Sequence, residues 1–334
     1  MKIENHTPFQ IAWLVLLDKQ GAERLIVALK ATYSISEDGK LSVAKKQGAI
    51  RGADEFHGEP GASSIRYEGE LGPPKVTTDV ALVGSAVARS PGTRTMDVSF
   101  RVGPLQKKLL VTGERRWTKI LGLLSRSSPE PFERVPLIYE NAFGGKDTSA
   151  NDPKHHDQEP RNPVGRGFVS KRSKMELSDA LLPNIEDPEE SFRRPGQCPA
   201  PQGFGFIGRD WQPRVAYVGT YDQQWMDERL PLLPLDFDER YHNAAHPDLT
   251  AKGFLQGNEP VEVIGCTATG RLAFNLPGVN PMVEAVHPKG REPVALKLNT
   301  VLIDTDAMNL SLLWKGDINV HRRLLQFTAL ACRS

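Results

Sequence analysis

Four residues in the middle of the sequence carry side chains that could do acid–base or metal chemistry. His155, His156 and Asp157 are consecutive, and Glu159 follows shortly after them. Imidazole and carboxylate groups are common general acids and bases in hydrolases, and they are also zinc ligands. A closed zinc site needs three or four converging ligands, and no further element at zinc-site spacing accompanies this segment. The segment therefore suggests a hydrolase-like enzyme as an alternative function, but it predicts no metal site.

Other patterns resemble known sites but miss a required residue. Asp147 follows a glycine-rich turn at the position where a phosphate loop has the Ser or Thr that binds magnesium. His242 and His246 have the spacing of a zinc-binding helix, but Asn243 replaces the glutamate of that motif. No serine stands in a nucleophile elbow. The sequence therefore predicts no catalytic residue, no cofactor and no metal.

A basic stretch near residue 165 is the first candidate for a binding surface. Its charged members are Arg161, Arg166, Lys171 and Arg172. Guanidinium and ammonium groups could bind an anion or an acidic protein surface. Buried charges usually have partners, so the stretch could instead hold the surrounding loops together. We expect these four residues to contribute to partner binding, and the structural interpretation of Arg161 stays open.

A second candidate surface surrounds a predicted helix that begins after Gly219. Its aromatic members are Trp225, Phe237 and Tyr241. Aromatic residues are enriched in protein interfaces, although Trp225 is more typical of a protein core than of an interface. Further residues in recurring local motifs have predicted structural roles. They are Asn162, Gly165, Trp211, Tyr221, Asp222, Asp236 and Asp238.

The elements that must position these residues are mainly strands. Alternating apolar and polar side chains, or β-branched runs bounded by turn residues, are typical of antiparallel strands. Such patterns predict strands at residues 9–17, 24–35, 41–44, 79–87, 95–102, 108–113, 261–266, 271–276, 294–303 and 309–315. We therefore expect a mainly β fold with a few short helices, built from antiparallel sheets in a sandwich-like or barrel-like arrangement.

The middle of the chain differs from both ends. Twelve prolines between residues 125 and 215 prevent long regular elements. Aromatic residues are spread through the same segment, and a free linker of this length is unusual inside a compact domain. We therefore predict a long, irregular segment rich in Pro and Gly that is ordered and held by its aromatic side chains.

Three segments could form helices. Thr220 and Gln223 form a capping-box pattern, and Pro231 would end that helix. The sequence pattern of residues 174–182 predicts a second, weaker helix. Residues 324–331 are apolar, and their pattern fits a helix and a strand equally well.

Composition excludes two broad classes of partner. Lys and Arg number 42 against 41 Asp and Glu, so the formal net charge is +1. A dedicated nucleic-acid binder or a polybasic membrane-surface protein would show a basic excess. The 29 Gly and 26 Pro residues favour short strands joined by turns. We expect neither nucleic acid nor membrane as a partner.

Cysteine usage and hydropathy predict the compartment. Cys198, Cys266 and Cys332 are far apart and odd in number, which fits a reducing environment. No apolar run is long enough to span a membrane, and residues 11–17 are too few for a signal peptide. We therefore expect a cytoplasmic protein.

The length of 334 residues suits one large β-rich unit. A division into two lobes stays open. In that case residues 1–120 form an N-terminal β lobe, residues 121–240 form the irregular segment, and residues 241–334 complete the fold.

An ordered series of short motifs resembles the DUF2169 family over about residues 60–315. The series comprises Arg115–Trp117, Pro129–Phe132, Arg134, Pro136–Leu137, Tyr139–Gly145, Arg161–Phe168, Leu182–Pro188, Gly203–Phe206, Trp211, Arg214, Gly219–Asp222, Trp225, Arg229–Pro234, Asp236–Asp238, Val301–Asp304 and Leu312–Trp314. Each motif alone is weak, but their number and order make the resemblance specific.

The resemblance implies a role in type VI secretion. Members of the family look like adaptors or chaperones that hold an effector in the cytoplasm. They help to load it onto the spike, through the valine-glycine-repeat trimer or its PAAR tip. The implied partners are thus an effector protein and a spike or PAAR-tip protein, and no catalytic residue is implied. A hydrolase-like enzyme and a secreted effector or structural component remain the alternatives.

Overall fold

A computed structural model describes residues 1–320 and 323–333. Strands dominate this part of the chain. In chain order they are β1 (Lys2–Asn5), β2 (Gln10–Leu17), β3 (Glu23–Ile35), β4 (Leu41–Val43), β5 (Glu55–Phe56), β6 (Ile65–Tyr67), β7 (Asp79–Val83), β8 (Ser85–Val87), β9 (Thr95–Val102), β10 (Leu105–Thr112), β11 (Trp117–Ile120), β12 (Leu123–Arg126), β13 (Arg134–Pro136), β14 (Phe143–Gly144), β15 (Lys146–Asp147), β16 (Asp157–Gln158), β17 (Arg166–Gly167), β18 (Ile185–Glu186), β19 (Pro260–Ile264), β20 (Arg271–Asn275), β21 (Met282–His287), β22 (Gly290–Val294), β23 (Lys297–Asp304), β24 (Asn309–Asn319) and β25 (Ala329–Arg333).

Helical structure is sparse among the described residues. The α-helix α1 spans Gln223–Glu228. Short 3₁₀ turns occupy Tyr139–Asn141, Pro153–His155, Arg214–Tyr217, Glu239–His242, Pro247–Leu249 and Leu324–Gln326. No helix in this part of the chain is both long and apolar enough to cross a membrane.

The largest sheet has six strands. Five of them lie in the order β2-β3-β24-β23-β7, and β4 pairs with the end of β3. All neighbours are antiparallel except β23 and β7. On one face of β3, apolar side chains such as Leu25, Val27 and Leu29 are fully buried. Lys30 and Thr32 point to the opposite face and are buried too, because loops cover that side of the sheet.

Two further sheets share the core of the six-stranded sheet. The order β18-β10-β9-β19-β20 forms an antiparallel sheet, and β1-β25-β21-β22 forms a four-stranded one. In β9, Val98, Phe100 and Val102 are buried, while Asp97 and Arg101 are exposed. This alternation is the one expected for a half-buried antiparallel strand. Apolar side chains of all three sheets meet in one hydrophobic cluster.

The mainly β prediction is confirmed. The long strands β2, β3, β9 and β24 lie where the sequence pattern predicts them. The helix predicted at residues 174–182 is wrong, since that segment forms turns and an isolated bridge. The ambiguous residues 324–331 contain a 3₁₀ turn followed by the start of β25.

The irregular middle segment is ordered by buried aromatic rings. Trp117, Phe143 and Phe192 form a satellite core together with Leu182. Elsewhere Trp211 meets Tyr139 edge to face, with ring centroids 5.7 Å apart. Such pairs add to the stabilisation from burial alone. The rings therefore hold a segment whose strands are only two or three residues long.

The six-stranded sheet joins strands from both ends of the chain. β2, β3 and β7 come from its first quarter, while β23 and β24 come from its last eighth. The division of the chain into lobes stays a prediction.

Candidate protein-binding surface

Arg161 lies in an internal ion pair. Its Nε and Nη2 atoms donate to the two carboxylate oxygens of Glu159 over 2.7 and 2.8 Å. Nη2 also donates to the carbonyl oxygen of Pro199 over 3.1 Å. The hydrogen bond to the buried Glu159 carboxylate raises the pKa of Arg161. This two-point geometry matches the structural interpretation of Arg161, and its role in partner binding stays a prediction.

Asn162 and Gly165 close the loop that follows this ion pair. The buried Asn162 amide donates to the carbonyl oxygens of Tyr139 and Phe143 over 2.8 and 2.9 Å. A Cβ atom on Gly165 would lie only 2.4 Å from the Asn162 amide nitrogen. Glycine is therefore required for the close approach of the two backbone segments.

Arg166 also bonds within the protein. Its Nε donates to the Glu140 carbonyl oxygen over 2.9 Å, and Nη2 donates to the Asn141 side chain over 2.7 Å. Nη1 donates to the Asn184 side chain over 3.2 Å. Burial lowers the pKa of this half-buried guanidinium. Because every guanidinium nitrogen has an internal acceptor, Arg166 orders the loop on which it sits.

Lys171 and Arg172 are the exposed members of the basic stretch. The Arg172 guanidinium contacts Nε2 of His155. Within residues 1–320 and 323–333, Lys171 forms no ion pair. The basic stretch thus divides into an internal half and a surface half, and the surface half is accessible to a partner.

The residues that suggested acid–base chemistry do not converge. Glu159 is buried and paired with an arginine, whereas Asp157 is exposed. Nε2 of His156 lies 3.1 Å from the Ala150 carbonyl oxygen, and His155 contacts the surface half of the basic stretch. Among the residues that the structure describes, no group of three or more His, Cys, Asp or Glu could hold a metal ion.

The helix α1 begins at a different cap from the predicted one. The Asp222 carboxylate accepts a hydrogen bond from the Trp225 N–H over 2.9 Å, so Asp222 is the N-cap. Thr220, the predicted cap, instead donates its hydroxyl to Asp236 over 2.7 Å. The capping prediction is therefore wrong in its residue, because an aspartate directly before Gln223 is an equally good acceptor.

A run of exposed apolar side chains lies along α1 and its flanking loops. We call it the helix patch, and its members are Tyr221, Trp225, Met226, Leu230 and Leu235. Leu230 and Leu235 are 62% and 71% exposed. The rings of Tyr221 and the half-buried Trp225 meet edge to face, with centroids 4.7 Å apart. Exposed apolar side chains concentrated in one segment are typical of a protein-binding site.

The helix patch is fixed to the six-stranded sheet. Arg229 Nη2 donates to the carbonyl oxygens of Lys19 and Leu233 over 2.6 and 2.8 Å. The Lys19 ammonium in turn donates to the Phe237 carbonyl oxygen over 2.9 Å. Because Lys19 lies in the turn between β2 and β3, the patch rests on a rigid support.

The other aromatic members of this predicted surface lie deeper. Phe237 is buried in the interior, and its ring meets the half-buried Tyr241 edge to face at 5.7 Å. Asp238 caps the following 3₁₀ turn and pairs with Arg240 at 2.6 Å. Of the three predicted aromatic residues, the half-buried Trp225 belongs to the helix patch, whereas Phe237 is buried and packs against Tyr241 and His242.

A second exposed apolar feature is the tip of the β11–β12 hairpin. We call it the finger, and its members are Ile120, Leu121, Gly122, Leu123 and Leu124. Leu121 is 99% exposed and Leu123 is 74% exposed. Leu121 and Gly122 have φ angles of 51° and 81°, as in a type I′ turn, which prefers Asn-Gly or Gly-Gly. Sequence reasoning missed the finger, although four apolar residues around a glycine between polar strands were a usable signal.

A network of buried ion pairs lies on the loop-covered face of the six-stranded sheet. Lys75 Nζ is 2.5 Å from the Glu68 carboxylate and 2.6 Å from that of Asp79, and all three side chains are buried. Burial lowers the pKa of Lys75, but Asp79 and Glu68 outweigh it and raise the pKa. Lys30 pairs with Glu70 at 2.6 Å. Sequence reasoning missed this network, because the burial that pairs Glu68, Glu70, Lys75 and Asp79 with the distant Lys30 is not visible in the local sequence.

Lys315 is the weakly bonded member of this network. Its ammonium is almost fully buried and donates to the Pro73 carbonyl oxygen over a long 3.3 Å. Burial lowers the pKa of Lys315 to about 8, against the opposing charge of Glu68. Burial also lowers the pKa of His242 to about 4, and the nearby Lys315 charge adds to that effect.

The fold is thus mainly β, and its polar loops bond within the protein. The helix patch and the finger are exposed apolar features on its surface. A comparison with known protein families matches residues 20–315 to the family described as "Uncharacterized protein conserved in bacteria (DUF2169)". The match spans most of the chain, and the protein belongs to this family. No curated protein and no solved structure matches it.

Proposed function

We propose that this protein is a non-enzymatic adaptor that binds a type VI secretion effector and helps to load it onto the spike. The motif series of the DUF2169 family implies this role, and the helix patch is the observation that carries it. An adaptor needs an apolar surface that stays exposed until its partner arrives. The patch supplies such a surface on a support that is bonded to the main sheet.

The composition of the helix patch favours a protein as its ligand. Tyrosine and tryptophan are over-represented among the residues that dominate interface energetics, since they offer large contact areas with few rotatable bonds. Trp225 keeps its ring orientation because Nε1 donates to the Leu232 carbonyl oxygen over 2.9 Å. A pre-ordered aromatic side chain loses less entropy on binding than a mobile one.

The effector is the first partner in this proposal, and the spike protein or its PAAR-tip protein is the second. The finger and the exposed Lys171 and Arg172 lie outside the helix patch and are the natural candidates for the second contact. Binding takes place in the cytoplasm before secretion. The two alternatives, a hydrolase-like enzyme and a secreted component, rest on the sequence alone.

Co-purification tests the proposal. We expect the tagged protein, co-expressed with the secretion genes that neighbour its own, to retain an effector or spike-tip protein in a stable complex. The double substitution Met226→Glu and Leu230→Glu should weaken that complex about tenfold or more, because it places two charges on the apolar patch. Isothermal titration with the purified partner measures the change.

Met282→Glu is the control, because Met282 is as exposed as Leu230 but lies on β21, outside the patch. It should bind the partner like the wild type. Recovery of partner-free protein alone would contradict the adaptor role. Equal binding by the patch variant and the control would place the interface elsewhere.

A further inference from the structure

Within residues 1–320 and 323–333, the outer edge of β2 has no backbone partner along its whole length. β2 pairs with β3 on one side, over all of Gln10–Leu17. Among the described residues, no backbone group outside the strands bonds to the backbone of residues 10–17. An antiparallel neighbour takes the N–H and C=O groups of alternate residues, so about half of the peptide groups of β2 point outward, and the described part of the chain supplies no partner for them.

Two other sheet edges are covered by neighbouring backbone. At β7, the opposite edge of the same sheet, the Leu82 N–H donates to the Phe204 carbonyl oxygen over 3.0 Å. At β20, the turn at Gly39 packs so closely that a Cβ there would lie 2.3 Å from the Ala273 carbonyl oxygen. These covers prevent another strand from pairing at either place.

The remaining edges of the three larger sheets carry other protections. β22 contains Pro293 next to charged residues, and β1 is short and carries Lys2 and Glu4. β18 is only two residues long. Charge, proline and short length are the usual means by which proteins prevent edge-to-edge pairing. β2 has none of them, since seven of its eight residues are apolar and it contains no charge and no proline.

Both faces of β2 are apolar and only half-buried. Ile11, Trp13 and Val15 lean onto the shared core from one face. The alternate residues Leu14 and Leu16 lie on the other face. A strand added outside β2 would extend both apolar surfaces, so its own side chains should be uncharged on both faces.

We propose that β2 takes up an extended, uncharged segment of a partner protein as an additional strand. Strand addition to an exposed sheet edge is an established mode of peptide recognition, in which main-chain hydrogen bonds provide affinity. The identity of the partner rests on the proposed function, whereas the binding mode rests on the edge itself.

Continuity with the helix patch favours a foreign segment over a second copy of the chain. β2 ends at Leu17, and Lys19 in the following turn is bonded to the patch through Arg229. One foreign segment that runs along β2 therefore reaches the patch. A second copy paired antiparallel over all of β2 would place its Leu17, and the helix patch beyond it, beside Gln10 of the first, so the two apolar patches would not meet.

Selection from a random peptide display library tests the strand addition without any secretion protein. The probe is a library of peptides of about a dozen residues, panned against the purified full chain. We expect uncharged, apolar, proline-free peptides to be enriched. Their affinity should fall about tenfold or more for Leu14→Lys, because a lysine on the edge opposes strand pairing. Methylation of alternate peptide nitrogens should weaken binding similarly, since it removes main-chain donors.

Ser42→Lys is the control, because it adds the same charge to an exposed position of β4 in the same sheet. It should leave peptide affinity unchanged. Thermal unfolding must show that Leu14→Lys is folded, and Ala12→Lys replaces it otherwise. The proposal is wrong if enriched peptides bind the lysine variants like the wild type. It is also wrong if sedimentation shows a dimer that Leu14→Lys abolishes, since β2 would then pair with a second copy.

These results are separable from those of the co-purification experiment. Edge-dependent peptide binding without a secretion partner would support strand addition and contradict the adaptor role. A stable effector complex that tolerates the β2 variants would support the adaptor role and contradict strand addition.

Discussion

Arg161 and Lys171 carry the same charge in very different surroundings. The Arg161 guanidinium is paired at two points with the buried carboxylate of Glu159, whereas Lys171 is exposed. Removal of one partner leaves the other charge buried and uncompensated, while exposed charges contribute little to stability. A charge reversal at each position therefore distinguishes a structural charge from a surface charge.

Arg161→Glu should lower the free energy of unfolding by about 2–4 kcal/mol, because it places a second carboxylate beside Glu159. Lys171→Glu should change that free energy by less than about 0.5 kcal/mol. Urea denaturation of the two variants measures both effects. Similar stability of the two variants would show that the Arg161 pair does not hold the loop.

Lys315 gives a pH-dependent prediction. Burial lowers its pKa from 10.5 to about 8 in the folded state. Between these two values the unfolded chain binds more protons than the folded one, so this group makes stability rise with pH. Lys315→Met should therefore be more stable than the wild type at pH 7, by about 2 kcal/mol. That advantage should shrink as the pH rises from about 8 towards 10.5, as measured by chemical denaturation at several pH values.

Lys30→Met provides the contrast for this experiment. Lys30 pairs directly with Glu70, so its removal should destabilise the protein at pH 7. A loss of stability in Lys315→Met at pH 7 would mean that the amine contributes more than its single long hydrogen bond suggests.

At the scale of elements, the finger combines backbone strain with full exposure. The left-handed backbone conformation of a leucine costs about 1–2 kcal/mol of folding free energy. Leu121 adopts this conformation and gains nothing from burial in return, because it is 99% exposed. Folding alone would favour asparagine at this position of a type I′ turn. Leu121 is therefore better suited to contact a partner protein than to pack within its own chain.

Leu121→Asn should leave the free energy of unfolding unchanged or raise it by up to about 1 kcal/mol, because Asn-Gly suits the turn. The same substitution should weaken retention of the spike-side partner in the co-purification experiment. Urea denaturation and the purified complex provide the two readouts. A clear loss of stability would indicate that Leu121 packs within the protein, and unchanged retention would exclude the finger from the interface.

Long strands were predictable because their pattern is local. β3 and β24 are long, β-branched and bounded by turn residues, so the sequence alone indicates them. β1 carries Lys2 and Glu4 and forms a strand through β25, which is far away in the sequence. β22 pairs with the adjacent β21, but its charges and Pro293 hide the strand pattern. The helix pattern at residues 174–182 fails for a similar reason. The Trp117 N–H donates to the Ala180 carbonyl oxygen over 3.0 Å, and this pairing overrides helix propensity.

The candidate site was predictable only in part. Trp225 could be named because an aromatic residue beside a helix cap suggests an interface, whereas Tyr221 was predicted to have only a structural role. Leu230 and Leu235 could not, because an exposed leucine and a core leucine look alike in a sequence. The free edge of β2 was equally hidden, since strand order within a sheet is set by pairings across the whole chain.

At the scale of the whole molecule, the largest sheet depends on contacts between distant parts of the chain. β3 lies between β2 on one side and β24 on the other, and β24 arrives only with Asn309–Asn319. The four-stranded sheet likewise pairs β1 with β25. Non-local pairing of this kind is typical of slow-folding proteins.

The pairing of β3 with β24 determines when the largest sheet can form during translation. At about 5–20 residues per second, β24 leaves the ribosome roughly fifteen seconds to a minute after β3. Throughout that interval both outer edges of the β2–β3 hairpin are unpaired. Its apolar residues cannot yet pack as they do in the finished sheet, because β24 has not been made. We therefore expect the yield of the protein in a recombinant host to depend on translation speed and temperature.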